Sequence, residues 1–251
     1  MPNKLKINNF IFLFLAIFFV CGCVTIYNPA TESRETLLID TASEVSLGED
    51  MDKQLKRELD ILDDPAKEKR LNSIGAKIAE VSDRQDLKYY FRIVNDEELN
   101  AFAIPGGFVY INKGLMNKAT NAELACVVAH EIGHIAARHS VKRLQAVLGY
   151  QIITTLAFGL AGNSTIAQAV DVVFTVVTLG YSRKDEFLAD RLAVKYAHKA
   201  GFNPYAMVSF FEKLKEEAQK KGPDSNLVFL SSHPPINERI KAVNKEIAQF
   251  K

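Results

Sequence analysis

An α-rich α+β fold is what this sequence predicts, on three observations. Segments with helical spacing dominate, from Leu47 to Val81, from about Asn121 to Arg143, and from Lys184 onward. One stretch, Lys88 to Val94, is aromatic and β-branched in the manner of a strand. Two apolar runs, Ala101 to Ile104 and Phe108 to Ile111, flank Pro105-Gly106-Gly107 and read as a hairpin or tight turn.

With 251 residues, 48% of them hydrophobic, the chain can bury a sizeable core and is most simply one folded domain. Its formal charge is +1 and no Lys/Arg-rich patch stands out, so nucleic-acid binding has no electrostatic support.

The N-terminus stands apart from that domain. Lys4 and Lys6 precede an uncharged apolar run from Phe10 to Val20, the pattern of a secretory leader. Val20-Cys21-Gly22-Cys23 follows and resembles a bacterial lipobox with Cys23 in the acceptor register. Cys21 does not fit, because Val20 is too bulky for the position before it. The resemblance implies removal of residues 1–22 and lipidation of Cys23, which ties the chain to a membrane through acyl chains. An uncleaved N-terminal membrane helix is the alternative, since the run extends to Tyr27. After cleavage Cys126 is the sole other thiol, so no internal disulfide is possible.

Residues 23–46 are polar and weakly patterned and are expected to be a lipid anchor and tether, leaving 47–251 as the folded domain. Pro65, after Asp63 and Asp64, marks a helix start. From Leu144 to Ser182 the chain carries a single charge, Asp171, and Gly162-Asn163-Ser164 splits the run in two. With Gln145, Gln151 and Gln168 also inside it, the run reads as a buried or membrane-facing helical hairpin, with insertion as the alternative.

The chemistry concentrates in Cys126 to His139, where three histidines and a glutamate interrupt an apolar helix. His130 and His134 lie four apart, about 40° around a helix, so both imidazoles leave one face. Glu131 sits beside them, placed to reach a water on a shared metal without ligating it. Two imidazoles suit one zinc ion, and zinc with an open position lowers the pKa of water to about 7. A pair of core histidines is the bland alternative. Against it, Val127, Val128, Ala129, Ile132 and Ile135 leave little solvent for Glu131. Gly133, costly within a helix, makes sense if a second helix approaches there.

His139 is a tempting third ligand, but its offset from His130 is one short of the known three-histidine pattern and Ala137 replaces the needed glycine. On a continuing helix it points about 180° from His130, and it reads as a structural or surface residue. Glu186 and Asp190, also four apart, share a face of a later helix. Glu186 can complete a His–His–Glu site, with Asp190 accepting from the outer nitrogen of a zinc histidine.

Four segments in order, Asn100 to Leu115, His130 to His134, Ser182 to Asp190 and Ser231 to Ile240, resemble the HtpX-like zinc metallopeptidases, metallopeptidase family forty-eight, and its bacterial lipoprotein branch. The resemblance covers roughly Leu47 to Ala248. It implies a mostly α-helical gluzincin endopeptidase with a small β-sheet lining the cleft. Zinc would sit on His130, His134 and Glu186, with Glu131 as catalytic base. Phe108, Val109 and Tyr110 would line the cleft and pair with extended substrate as an edge strand can. His233 is implied near the metal in one of two roles, stabilising the oxyanion or ligating zinc in a closed resting state. Arg239 is a candidate for substrate or oxyanion contact, a structural ion pair being the alternative.

The implied substrates are unfolded or misassembled cell-envelope proteins. Val24, not aspartate, follows Cys23, which points to the outer membrane with the domain facing the periplasm. A rival reading is a chaperone-like assembly factor with low or autoinhibited protease activity. A third, an intramembrane prenyl-protein peptidase, requires several true membrane spans.

Overall fold

The computed structural model describes residues 24–147, 180–221, 233 and 236–250. The expected leader with Cys23, and most of the apolar run 144–182, lie outside the described residues.

Residues 24–46, expected as a tether, are folded instead. Strands β1 (Val24–Asn28) and β2 (Ser33–Leu37) form an antiparallel hairpin, and helix α1 (Thr41–Glu58) follows from an Asp40 cap. The polar residues that suggested a tether are spent on buried contacts. Asn28 Nδ2 donates to Ala136 O at 3.1 Å, and Glu44 meets both Arg84 and Arg138. Helix α2 (Pro65–Glu80) starts at its proline, with Asp64 accepting from the Ala66 and Lys67 N–H groups.

Strands β3 (Tyr90–Val94), β4 (Ala101–Ile104) and β5 (Phe108–Asn112) make one sheet in the order β3-β5-β4. β4 and β5 are the expected hairpin, antiparallel across Pro105–Gly107. Gly106 and Gly107 have φ of 80° and 96°, open to glycine at little cost. Helix α1 lies against this turn, where a Cβ at Gly48 would collide with the Pro105 carbonyl.

The sheet corrects the reading of Phe108, Val109 and Tyr110 as an edge that pairs with substrate. β5 also pairs in parallel with β3 and is therefore the middle strand. Those three residues are at most 3% exposed. Phe108 stacks on Tyr90, and the Tyr110 hydroxyl donates to Asp52 Oδ1 at 2.7 Å on α1. Among the described residues, the edge without a strand partner beside the histidine helix is that of β4.

After α3 (Lys113–Lys118) comes α4 (Asn121–Ala136), opened by a capping box between Thr120 and Glu123. Its residues are apolar nearly all round, so it belongs at the centre. Leu124, Val128, Ile132 and Ile135 are at most 2% exposed. Burial of each contributes roughly 1.5–3 kcal/mol. Around α4 pack α2, the sheet, α5 (Arg183–Lys199) and α6 (Ala206–Lys221), and α7 (Ile236–Ile247) closes over α5 and α6.

One expectation for α4 fails. The helix does not run on to Arg143 but stops at Ala136, turns at Ala137 and Arg138, and is helical again over 139–147. Arg138 takes a left-handed φ of 56°. Among the described residues no helix is long and apolar enough to cross a membrane.

Candidate metal centre

His130, Glu131 and His134 lie in the last turns of α4, at most 1% exposed. Facing them, α5 begins at Ser182, whose hydroxyl accepts from Asp185 N in a second capping box. That start puts Glu186 in the first turn and Asp190 one turn later, both 1% exposed. The two helices meet at Gly133. A Cβ there would lie 3.0 Å from Ala189 O and 3.3 Å from Ala189 Cα, so the glycine clears room for α5 as its cost in a helix suggests.

His233 arrives from the segment before α7, and four ligand atoms converge within 4.8 Å of one another. His130 Nε2 lies 3.0 Å from His134 Nε2 and 3.4 Å from His233 Nδ1. Glu186 Oε1 lies 2.8 Å from His233 Nδ1 and 3.4 Å from His134 Nε2. Tetrahedral zinc, with bonds of about 2.0–2.1 Å, sets its ligand atoms roughly 3.3 Å apart. The spacing fits one such ion.

The carboxylates fit it too. Glu131 is wholly buried, yet neither of its oxygens has a hydrogen-bond partner among the described residues. Glu186 Oε2 is 3.0 Å from Arg239 Nη1 without the alignment of a hydrogen bond. A buried carboxylate left as unsatisfied as Glu131 is costly unless a cation or a polar ligand joins it.

The model of Peptidase family M48 matches residues 65–247, most of the chain. The chain belongs to peptidase family M48. It is 28% identical over 239 residues to a beta-barrel assembly-enhancing protease of Yersinia pestis, covering 88% of this chain and 47% of that one. It is 29% identical over 197 residues to the mitochondrial metalloendopeptidase OMA1 of Arabidopsis thaliana, covering 77% and 39%. Against the metalloprotease LoiP of Escherichia coli strain K12 the identity is 26% over 183 residues, covering 72% and 70%. The chain spans about half the length of the assembly-enhancing relatives it matches. Zinc is the ion that this M48 donor set suits, one per site.

Behind the four ligand atoms lies a second ring of polar side chains. Asp190 Oδ1 is 2.9 Å from His130 Nδ1, the nitrogen facing away from the other ligands. Arg239, for which the sequence leaves both a substrate or oxyanion contact and a structural ion pair open, is 0% exposed and engaged by the carboxylate behind His130. Its guanidinium holds both Asp190 oxygens at 2.6 and 2.8 Å and donates to the His233 carbonyl at 3.1 Å. His139 is neither on the surface nor turned away. The break at Arg138 swings it back, and its Nδ1 lies 2.8 Å from His134 Nδ1. Tyr181, which no sequence signal marked, stacks on the His134 ring at 3.8 Å and is itself covered by Arg143 at 3.7 Å.

The electrostatics follow this arrangement. Burial raises Glu131 above the ordinary carboxylate value, and the nearby His233 and His130 offset that in part. Burial also works to raise Glu186, yet the imidazoles of His233, His134 and His130 outweigh it and hold the carboxyl well below the usual range. Asp190 is lowered likewise, burial being overcome by Arg239. Burial pushes His134 well below its ordinary value and His139 down to about 4, so both are neutral at pH 7 and have lone pairs to offer.

Proposed function

We propose that this M48 chain is a zinc metalloendopeptidase that hydrolyses unfolded or misassembled proteins of the cell envelope. The observation that carries the reading is the convergence of His130, His134, Glu186 and His233 beside Glu131, whose carboxylate has no hydrogen-bond partner among the described residues. His130, His134 and Glu186 would hold the ion. Zinc, when bound, supplies a Lewis acid and water acidified to near neutrality. Glu131 then takes the proton of the attacking water and passes it to the leaving amine. A carboxylate buried beside the ligand atoms is placed to do both. Asp190, clamped by Arg239, keeps His130 turned toward the ion.

The substrate class is supported by the relatives named as beta-barrel assembly-enhancing proteases. The Val20-Cys21-Gly22-Cys23 sequence supports a lipid anchor on Cys23, and Val24 supports the outer membrane with the domain facing the periplasm.

One observation favours a second reading, a resting state that cuts little. His233 Nδ1 sits among the ligand atoms, 3.4 Å from His130 Nε2, and its Nε2 is 4.0 Å from Glu131 Oε1. A fourth protein ligand takes the position a water needs. Of the two roles for His233, this geometry supports ligation over oxyanion stabilisation. Casein hydrolysis by wild type and His233→Ala, each with and without chelator, tests both readings. Chelator-sensitive cleavage that rises in His233→Ala is expected. A sharp loss in the variant would return His233 to the oxyanion role, and no chelator-sensitive cleavage in either protein would sink the peptidase reading.

A further inference from the structure

The two zinc-side histidines are backed in different ways. His130 presents Nδ1 directly to a carboxylate, Asp190, at 2.9 Å. His134 presents Nδ1 to another imidazole, that of His139, at 2.8 Å, and both rings are buried. Two ring nitrogens this close share one proton, one as donor and one as acceptor. The His134 ring decides which. Its Nε2 faces the other ligand atoms, 3.0 Å from His130 Nε2 and 3.4 Å from Glu186 Oε1, so that nitrogen must keep its lone pair for the ion. Nδ1 therefore carries the hydrogen and donates. His139 Nδ1 accepts, which leaves the His139 hydrogen on Nε2, facing Asp185 Oδ1 at 3.4 Å.

We propose that His139 is a positioning residue for His134, accepting its Nδ1 hydrogen and so holding Nε2 free and aimed at the metal. This rests on the zinc reading above and adds to it a neutral acceptor behind His134, where His130 has a charged one.

The backbone is shaped for this contact. On an unbroken helix His139 is about 140° from His134 and out of reach. Arg138, at φ 56°, supplies the turn that brings it back. A left-handed conformation is unfavourable for a residue other than glycine. Long-range contacts hold it there: Arg138 Nη2 donates to Thr41 Oγ1 at 2.8 Å and Nη1 pairs with Glu44 at 2.9 Å. Lys142 Nζ and Asn28 Nδ2 take the Ala137 and Ala136 carbonyls that the break leaves open. The Tyr181 ring, stacked on His134 at 3.8 Å, fixes the plane of the imidazole, and its hydroxyl lies 3.0 Å from Ser140 Oγ beside His139.

Zinc affinity by chelator competition tests the assignment, on His139→Leu and His139→Asn beside wild type. Leucine fills space without an acceptor, whereas the asparagine oxygen falls near the place of Nδ1. Loss of an outer partner of a zinc histidine costs about 10- to 100-fold in affinity. His139→Leu is expected to lose that much, and His139→Asn to stay within about threefold of wild type. Long-range 1H–15N spectra of zinc-loaded wild type need no variant and are expected to show His134 protonated at Nδ1 and His139 at Nε2. Wild-type affinity in His139→Leu, equal losses in both variants, or a His134 Nδ1 without hydrogen would each overturn the proposal while leaving zinc in place. A wild-type chain that binds no zinc would overturn the metal reading and this one with it.

Discussion

Replacing Glu131 by Gln should make the metal-free protein more stable, although it removes the proposed base. Glu131 is 0% exposed and neither oxygen has a hydrogen-bond partner among the described residues. A buried group left unsatisfied costs about 1–3 kcal/mol, and more when charged. Glutamine keeps the shape and the neutral part of that penalty but sheds the charge. Because burial raises the folded pKa, the unfolded chain loses its proton first as pH rises. The contribution of Glu131 to stability is therefore complete below the ordinary value of 4.5 and is lost as pH climbs through the raised folded value. Each pH unit in that window costs about 1.4 kcal/mol. Urea melts in chelator, followed by circular dichroism, should give coincident midpoints near pH 4.5 and a variant more stable by about 1–3 kcal/mol at pH 8. A variant less stable at pH 8, or a gap that does not change with pH, would refute the reasoning.

Three further outcomes follow from named contacts. Arg239→Met strips Asp190 and Glu186 of their buried cation, so a loss of about 3–5 kcal/mol is expected in thermal or urea unfolding, with weaker zinc binding. Gly133→Val forces a side chain into the space 3.0 Å from Ala189 O and should cost about 1–3 kcal/mol, read as a lower denaturation midpoint. At the start of α4, burial would raise Glu123 but Lys213, Ser209 and Thr120 outweigh it and lower its pKa. Its stabilisation is present above the ordinary 4.5 and is lost as pH falls through the lowered folded value, so wild type should lose about 1 kcal/mol more than Glu123→Gln between pH 6 and pH 3.

What the sequence revealed and what it hid divide along the range of the interactions. The i, i+4 spacings of His130 with His134 and Glu186 with Asp190 are local, and the costly Gly133 announced the helix that crosses it. The middle position of β5 was hidden, because Phe108 to Asn112 advertises its hairpin with β4 and says nothing of the parallel pairing with β3. The break after α4 was hidden as well. Arg138 is no turn former, and what holds it left-handed is Thr41 and Glu44, almost a hundred residues away. The same Glu44 made residues 24–46 look like a tether, since a buried ion pair and a solvated one are alike in sequence. Arg239 is ambiguous in sequence for that reason too: a substrate contact and an ion pair are both allowed, and its partners in the fold are Asp190 and Glu186.

The central claim is that His130, His134 and Glu186 hold one zinc ion and that Glu131 moves the proton. Zinc content and casein cleavage of His233→Ala, beside the same protein carrying Glu131→Gln, test it most directly. The account predicts one zinc per chain in both and cleavage lower by about 10²- to 10⁴-fold in the double variant. Equal cleavage by the two proteins, or zinc that stays bound after His130→Ala and His134→Ala, would contradict it.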